Sequence, residues 1–166
     1  MSARDIAEAL EFSKANFFYH VRSKEQLLYE IFIENLNYAI GRLEEILRRR
    51  DSPPENLRAI IDFYVTLNTE RASIMLVWFK EKSHLTAAHQ QDIAALEQQI
   101  GAMLNTFYRS GVESGHFRRI EPRLARVAIF GMCFALTRWP DLQELLPIDT
   151  ISAQLQEVAT SGMLKD

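Results

Sequence analysis

Apolar residues recur every three or four positions through most of this chain, which is the spacing of one face of an α-helix. The longest such stripe begins at Ser23 and ends near Arg50, and it predicts a helix of roughly 28 residues and about 40 Å. Its apolar positions are Leu27, Leu28, Ile31, Phe32, Leu36, Ala39, Ile40, Leu43, Ile46 and Leu47. No segment alternates with a period of two over a useful length. The pattern therefore predicts an all-α fold.

Proline and glycine residues divide the rest of the pattern into further helices. These are predicted from Pro53 or Pro54 through Leu67, across Ala72 to Phe79, from Ile93 to about Gly115, from Ile120 to Trp139, and over Ile148 to Val158. The second of them, "ASIMLVWF", is apolar on all sides, so we expect it to be buried.

The first 22 residues carry signals for two short helices ahead of the long one. Capping residues are Ser2 with Asp5, Ser13, and Ser23 with Gln26. Phe12 and Phe17 have the spacing of a hydrophobic staple around the second short helix. Two short helices about a tight turn are the outline of a helix-turn-helix, with Lys14 to Tyr19 as the recognition helix.

The residue types of the second short helix suit contact with DNA. Lys14, Ala15 and Asn16 occupy its first turn, from which side chains reach base edges in the major groove. Side chains that would lie near phosphates are Arg4, Tyr19, His20 and Lys24. The alternative is that these are ordinary short capped helices, with Phe12, Phe17 and Phe18 as core.

The opening segment "ARDIAEALEFSKANFFYHVRSKEQLL" resembles the DNA-binding segment of TetR-type transcriptional repressors. A second likeness, in "YRSGVESGHFRRIEPRLAR", is to the junction between the two penultimate helices of that family's regulatory half. The resemblance implies a homodimeric repressor whose carboxy-terminal helices form the dimer contact and enclose a small-molecule pocket. It also implies roles by position: Lys14, Ala15 and Asn16 facing bases, and Arg4, Phe18, Tyr19, His20 and Lys24 facing the DNA backbone.

Three features depart from the family pattern. Glu11 stands where a glycine is usual in the turn, and Phe18 replaces a common tyrosine. The family has another helix before the one that starts at Ser2. The expected division is therefore a DNA-binding unit at 1–28, truncated at its start, and a ligand-binding and dimerisation domain at 29–166. Such a start fits a fragment, a misassigned start or a form that has lost DNA binding.

A mixture of methionine and aromatic residues in the later helices suits an adaptable apolar pocket. The candidates are Met75, Trp78, Phe79, Met103, Phe107, Phe130 and Phe134. Arg71, Arg109 and Arg138 are conceivable partners for an acidic ligand. The pair Arg138-Trp139 is similar to one in relatives that respond to fatty-acyl thioesters. Packing as plain core is the alternative for every one of the apolar residues.

Composition and net charge limit the classes of function that the chain is expected to have. The net charge of −3 provides no general basic field, so any DNA binding must use a local surface. The longest apolar run, Val127 to Leu136, is too short to cross a bilayer, and the single Cys133 fits a reducing cytosol. His84 and His89 do not share a helical face, and we find no metal, cofactor or catalytic motif.

The sequence is consistent with two functions. The first is a cytoplasmic, ligand-responsive repressor that binds palindromic operator DNA as a homodimer and is released by a small hydrophobic effector. The alternative is a dimeric small-molecule-binding or interaction protein of the same fold that does not bind DNA. An enzyme is not expected.

Overall fold

A computed structural model describes residues 23–49 and 51–164 of the chain. Within these residues it contains seven α-helices and one short 3₁₀ turn, Lys82–His84. The helices are α1 (Lys24–Arg48), α2 (Pro53–Glu70), α3 (Ala72–Glu81), α4 (Ala87–Glu113), α5 (Pro122–Arg138), α6 (Asp141–Leu145) and α7 (Ile148–Met163). The part that the structure describes has no β-strand, and the all-α prediction is confirmed.

Side-chain caps begin the first two helices, and the sequence prediction named the first of them, Ser23. The Ser23 side chain accepts a hydrogen bond from the Gln26 N–H at 3.1 Å, which satisfies a free donor of the first turn of α1. At α2, the Glu55 carboxylate accepts from the Ser52 N–H at 2.8 Å and from its hydroxyl at 2.6 Å. Those bonds hold the pKa of Glu55 below its usual value.

The helices pack around two groups of buried side chains. One group joins the second half of α1 to α2, α4, α5 and α7, and its fully buried members include Leu43, Ile61 and Tyr108. The other joins the first half of α1 to α3 and the start of α4 through Phe32 and Trp78. Because α1 belongs to both groups, it links them.

A tight packing contact fixes the turn between α4 and α5. The Phe117 ring covers Gly111, where a Cβ atom would lie 2.2 Å from a ring carbon. The backbone N–H groups of His116 and Phe117 donate to the Gly111 carbonyl, and Gly115 takes a φ of 79° that favours glycine. This turn sets where α5 begins.

The structure corrects two expectations about the middle of the chain. Helix α3 is not buried on all sides, because Phe79 is 57% exposed. Helix α4 begins at Ala87 rather than Ile93, since Thr86 caps it and its first turn, Ala-Ala-His-Gln, has no buried residue. The apolar stripe alone therefore missed the solvent-facing start of this helix.

Candidate functional site

A cavity of about 870 Å³ lies among α1, α2, α3, α4 and α5, within the size range of small-molecule sites. Residues of both buried groups line it. The residues that line it are Asn35, Leu36, Ala39, Tyr64, Leu67, Met75, Trp78, Phe79, Lys82, Ser83, Ala94, Glu97, Gln98, Ile100, Gly101, Ala102, Leu104, Asn105, Arg123, Arg126 and Phe130. Hereafter "the cavity" means this space.

The inner wall of the cavity is apolar and aromatic. Met75 and Trp78 come from α3, and Trp78 meets the buried ring of Phe32 edge to face at 4.8 Å between centroids. Phe130 of α5 meets Tyr64 of α2 edge to face at 5.7 Å. Such a wall accepts an apolar chain and gives it close contact on several sides.

The mouth of the cavity, formed by its exposed lining residues, is only partly polar. Ser83, Gln98 and Arg123 are polar, whereas Phe79 and Ala102 are apolar. Lys82 and Glu97 form an ion pair across the mouth. Paired in this way, those two charges largely cancel, so the unbalanced charge on the cavity wall is that of Arg123 and Arg126.

Two buried polar atoms of the cavity wall have no hydrogen-bond partner among the described residues. They are Nε of Arg126 and Oδ1 of Asn105. The Arg126 guanidinium lies against α4 at Gly101, where an added Cβ would be 3.5 Å from the guanidinium carbon. Buried polar groups nearly always have a partner, so these two atoms are candidates for contact with a bound molecule or water.

The residues predicted for the pocket fall into two sets. Met75, Trp78, Phe79 and Phe130 line the cavity. The others, which are Met103, Phe107 and Phe134, do not. Phe107 packs on Phe117 at 5.5 Å between centroids, and Phe134 stacks on Phe130 at 5.9 Å.

The three arginines considered as anion partners are not on the cavity wall. Arg109 and Arg138 are exposed, and Arg71 lies over the Tyr38 ring at 4.1 Å and donates to Asn35 at 3.4 Å. Sequence reasoning missed Arg126. The signal that was available is its spacing of three from Arg123 in the first turns of a helix opened by proline, which puts both on one face.

A cluster of polar contacts ties the start of α1 to the start of α4. The Glu25 carboxylate accepts from the Thr86 N–H at 2.9 Å and lies 2.7 Å from His89 Nδ1. Tyr29 stacks on the His89 ring at 3.7 Å and donates its hydroxyl to Asp92 at 3.0 Å. The bond from the Thr86 backbone is the main cause that holds the pKa of Glu25 below its usual value.

Seven of the eight predicted DNA contacts lie outside the described residues: Arg4, Lys14, Ala15, Asn16, Phe18, Tyr19 and His20. The eighth, Lys24, is the first residue of α1. Its ammonium group is 2.8 Å from the Glu81 carboxylate, and this bond is the main cause of a lowered pKa at Glu81.

Helices α5 and α7 contact each other and leave apolar side chains exposed. On α5 these include Leu124 and Val127, which are 61% and 57% exposed, and on α7 Val158, which is 62% exposed. A Cβ added at Gly131 or Gly162 would meet nothing within 4 Å. We call these five residues the α5–α7 face.

Neither a cluster of metal-ligating residues nor a reactive thiol occurs in the part that the structure describes. No group of three or more histidine, cysteine or acidic residues there could hold a metal ion. Burial raises the pKa of the Cys133 thiol to about 12, so it is a poor nucleophile. None of the described helices combines the length and the apolar character needed to span a membrane.

A family model described as the tetracyclin repressor-like, C-terminal domain matches residues 50–163. The HTH-type transcriptional repressor KstR2 of Mycolicibacterium smegmatis is 25% identical over 118 residues, covering 70% of this chain and 58% of that repressor. The chain therefore spans less than two thirds of that relative. The fatty acid metabolism regulator protein of Bacillus subtilis is 22% identical over 160 residues, covering 95% of this chain and 82% of the regulator.

Solved structures share the fold. The ketosteroid transcriptional regulator KstR2 of Mycobacterium tuberculosis has a TM-score of 0.81 at 20% identity, covering 100% of this chain and 86% of that one. AibR in complex with isovaleryl coenzyme A and operator DNA has a TM-score of 0.76 at 23% identity, covering 95% and 86%. FadR of Bacillus subtilis in complex with stearoyl-CoA has a TM-score of 0.70 at 22% identity, covering 98% and 88%.

Proposed function

Because the chain belongs to the TetR family of transcriptional regulators, we propose that it is a ligand-responsive repressor. In this proposal it binds palindromic operator DNA as a homodimer in the cytoplasm, and a small hydrophobic effector releases it. The effector occupies the cavity, and the segment that resembles a DNA-binding unit reads the operator. The named relatives are transcriptional regulators, and we propose no enzymatic activity.

The observation that carries the proposal is the course of α1. This single helix begins at Lys24, inside the segment that resembles a DNA-binding unit, and it contributes Asn35, Leu36 and Ala39 to the cavity wall. A molecule in the cavity would therefore touch the same helix that forms the end of that segment. The expected division at 1–28 and 29–166 stays a prediction, and α1 runs without a break across residue 28.

Coupling requires two arrangements of α1 that the effector binds with different affinity. The contacts of Glu25, Tyr29 and Lys24 with α3 and α4 hold the start of α1 in one of these two arrangements. A ligand that moves α3 or α4 would shift this end of α1 and with it the spacing of the two recognition helices. Those helices must match successive major grooves, about 34 Å apart.

The α5–α7 face is the proposed dimer contact. Two adjacent helices from each protomer would form a four-helix contact about a twofold axis. Gly131 and Gly162 permit close approach there, since neither position meets an atom of its own chain. Burying Leu124, Val127 and Val158 in this contact would supply part of the about 1.5–3 kcal/mol that full burial of such a side chain gives, since each is already partly buried.

Acyl thioesters are the proposed effector class. AibR was solved with isovaleryl coenzyme A and operator DNA, and FadR with stearoyl-CoA. Both ligands join an apolar chain to a negatively charged carrier. The cavity of this chain has an apolar inner wall and unbalanced positive charge, which suits the same combination.

The test is fluorescence anisotropy of the full chain on DNA from its own upstream region, at two salt concentrations. We expect specific binding that weakens steeply with salt, because phosphate contacts release counterions. Asn16→Ala should abolish the preference over scrambled DNA, whereas Asn37→Ala, at an exposed position of α1, should not.

The second candidate is a dimeric ligand-binding protein that does not read DNA. The net charge of −3 and the engagement of Lys24 with Glu81 favour it, since a lysine held by a carboxylate is less available to a phosphate. Equal or absent binding to both DNAs in the same titration, together with ligand binding, would select this candidate over the repressor.

A further inference from the structure

We infer that the cavity binds an amphipathic anion whose oxygen-bearing head is held by Arg126 and Asn105. Its apolar chain would lie along Met75, Trp78 and Phe130. This inference rests on the proposed role of the cavity as the effector site, and it names the chemical class of the effector and the residues that read its head.

The two buried atoms without partners point to a polar group in the ligand. Arg126 Nε is a donor and Asn105 Oδ1 an acceptor, and neither is satisfied by the residues that the structure describes. The two ends of an amide side chain are assigned from hydrogen bonding, so a turned Asn105 would present its NH₂ group to the same place. Arg126 and Asn105 would then both donate to one oxygen-bearing head.

The setting of the Arg126 side chain favours a defined site over a loose positive charge. Its guanidinium carbon and both terminal nitrogens would lie 3.5–3.8 Å from a Cβ at Gly101, so one guanidinium face rests on α4. A guanidinium held against a helix in this way keeps its fork of donors in one orientation. A fork of this kind matches a carboxylate or phosphate with two parallel hydrogen bonds.

The charges on the wall favour a negative head over a neutral one. Lys82 and Glu97 neutralise each other, and neither Arg123 nor Arg126 forms an ion pair among the described residues. Arg123 is exposed at the mouth, whereas Arg126 is half buried. A free carboxylate would engage Arg126, and a longer head that carries phosphates would extend outward to Arg123 as well.

The experiment is calorimetric titration of the full chain with three probes of equal chain length. Decanoate and decanoyl-CoA are the two anionic sources, and 1-decanol is the neutral comparison. We expect at least one of the two anions to bind more tightly than decanol by a factor of about ten or more. A hydrogen bond to a charged group changes the affinity by at least about that factor.

Substitutions at Arg126 and Asn105 test whether these residues bind the charged head of the ligand. Arg126→Met should lower the affinity for the anionic probe by about tenfold or more and leave decanol nearly unchanged. Asn105→Asp, which adds a negative charge to the wall, should also weaken the anion selectively. The same Met substitution at Arg109, an exposed residue of α4 away from the cavity, is the matched control. Melting curves of each variant establish that it is folded, and Arg126→Lys provides a second variant that retains the charge.

Decanol binding as tightly as the anions would overturn the inference. So would an equal loss for all probes in Arg126→Met, or no binding of any probe. Operator binding of the same preparations separates the two proposals. Selective anion binding without operator binding keeps this inference and refutes the repressor, whereas specific operator binding without anion selectivity does the reverse.

Discussion

Replacing Gly111 by alanine should destabilise the protein, although alanine is the better helix former. A Cβ at this position would lie 2.2 Å from one Phe117 ring carbon and 2.3 Å from another. Phe117 is 1% exposed and packs against Tyr108 at 5.1 Å between centroids, so its ring cannot move aside freely. Overpacking costs about 1–3 kcal/mol, which exceeds the roughly 1 kcal/mol that alanine gains over glycine in a helix.

Gly41 provides the matched control, because a Cβ there meets nothing within 4 Å on the exposed side of α1. In urea unfolding at fixed protein concentration, we expect Gly111→Ala to lose up to about 2 kcal/mol and Gly41→Ala to gain about 0.5–1 kcal/mol. The loss should shrink in a Phe117→Leu background, since the two residues are in contact. Equal gains at both glycines would refute the packing argument.

Two further perturbations test the contacts on which the proposals rest. Glu25 has a lowered pKa, so its contribution to stability is present above its usual value of 4.5 and is lost as the pH falls through the lowered pKa. Acid titration of unfolding should therefore be less steep for Glu25→Gln than for the native chain, and identical curves would show that this contact contributes nothing. Val158→Glu should convert a dimer to a monomer in light scattering, because it buries a charge in the α5–α7 face, whereas Ala95→Glu, at an exposed position of α4, should not. If the native chain is monomeric, or if Val158→Glu remains dimeric, the α5–α7 face is not the dimer contact.

Local signals were sufficient for most helix boundaries. Ser23 was predicted from residue type and spacing alone, because a cap acts within one turn. The Ser52–Glu55 capping box carries the same local signal but was not predicted; only the prolines after Ser52 were used there. The start of α4 was missed, since its first turn carries no large apolar residue. A capping signal at Thr86 and the two alanines that follow it were present in the sequence.

The cavity was less accessible to sequence reasoning. The apolar stripe of α4 is wide enough to face two ways: Leu104 lines the cavity, whereas Phe107 packs on Phe117. Which side meets a cavity depends on how distant helices pack, and periodicity does not contain that information. Arg126 was overlooked for the same reason, because an arginine in an amphipathic helix is ordinarily read as a solvated residue.

The most direct test of the proposed function is operator affinity measured at increasing concentrations of the anionic probe that binds most tightly. If the chain is a ligand-responsive repressor, the apparent Kd for its upstream DNA should rise and then level off at a fixed factor, about 5- to 150-fold for ordinary coupling. Arg126→Met should require more ligand to reach that level and should bind DNA normally without ligand. An operator affinity that does not change at saturating ligand would contradict the account, since binding at the two sites would then be uncoupled.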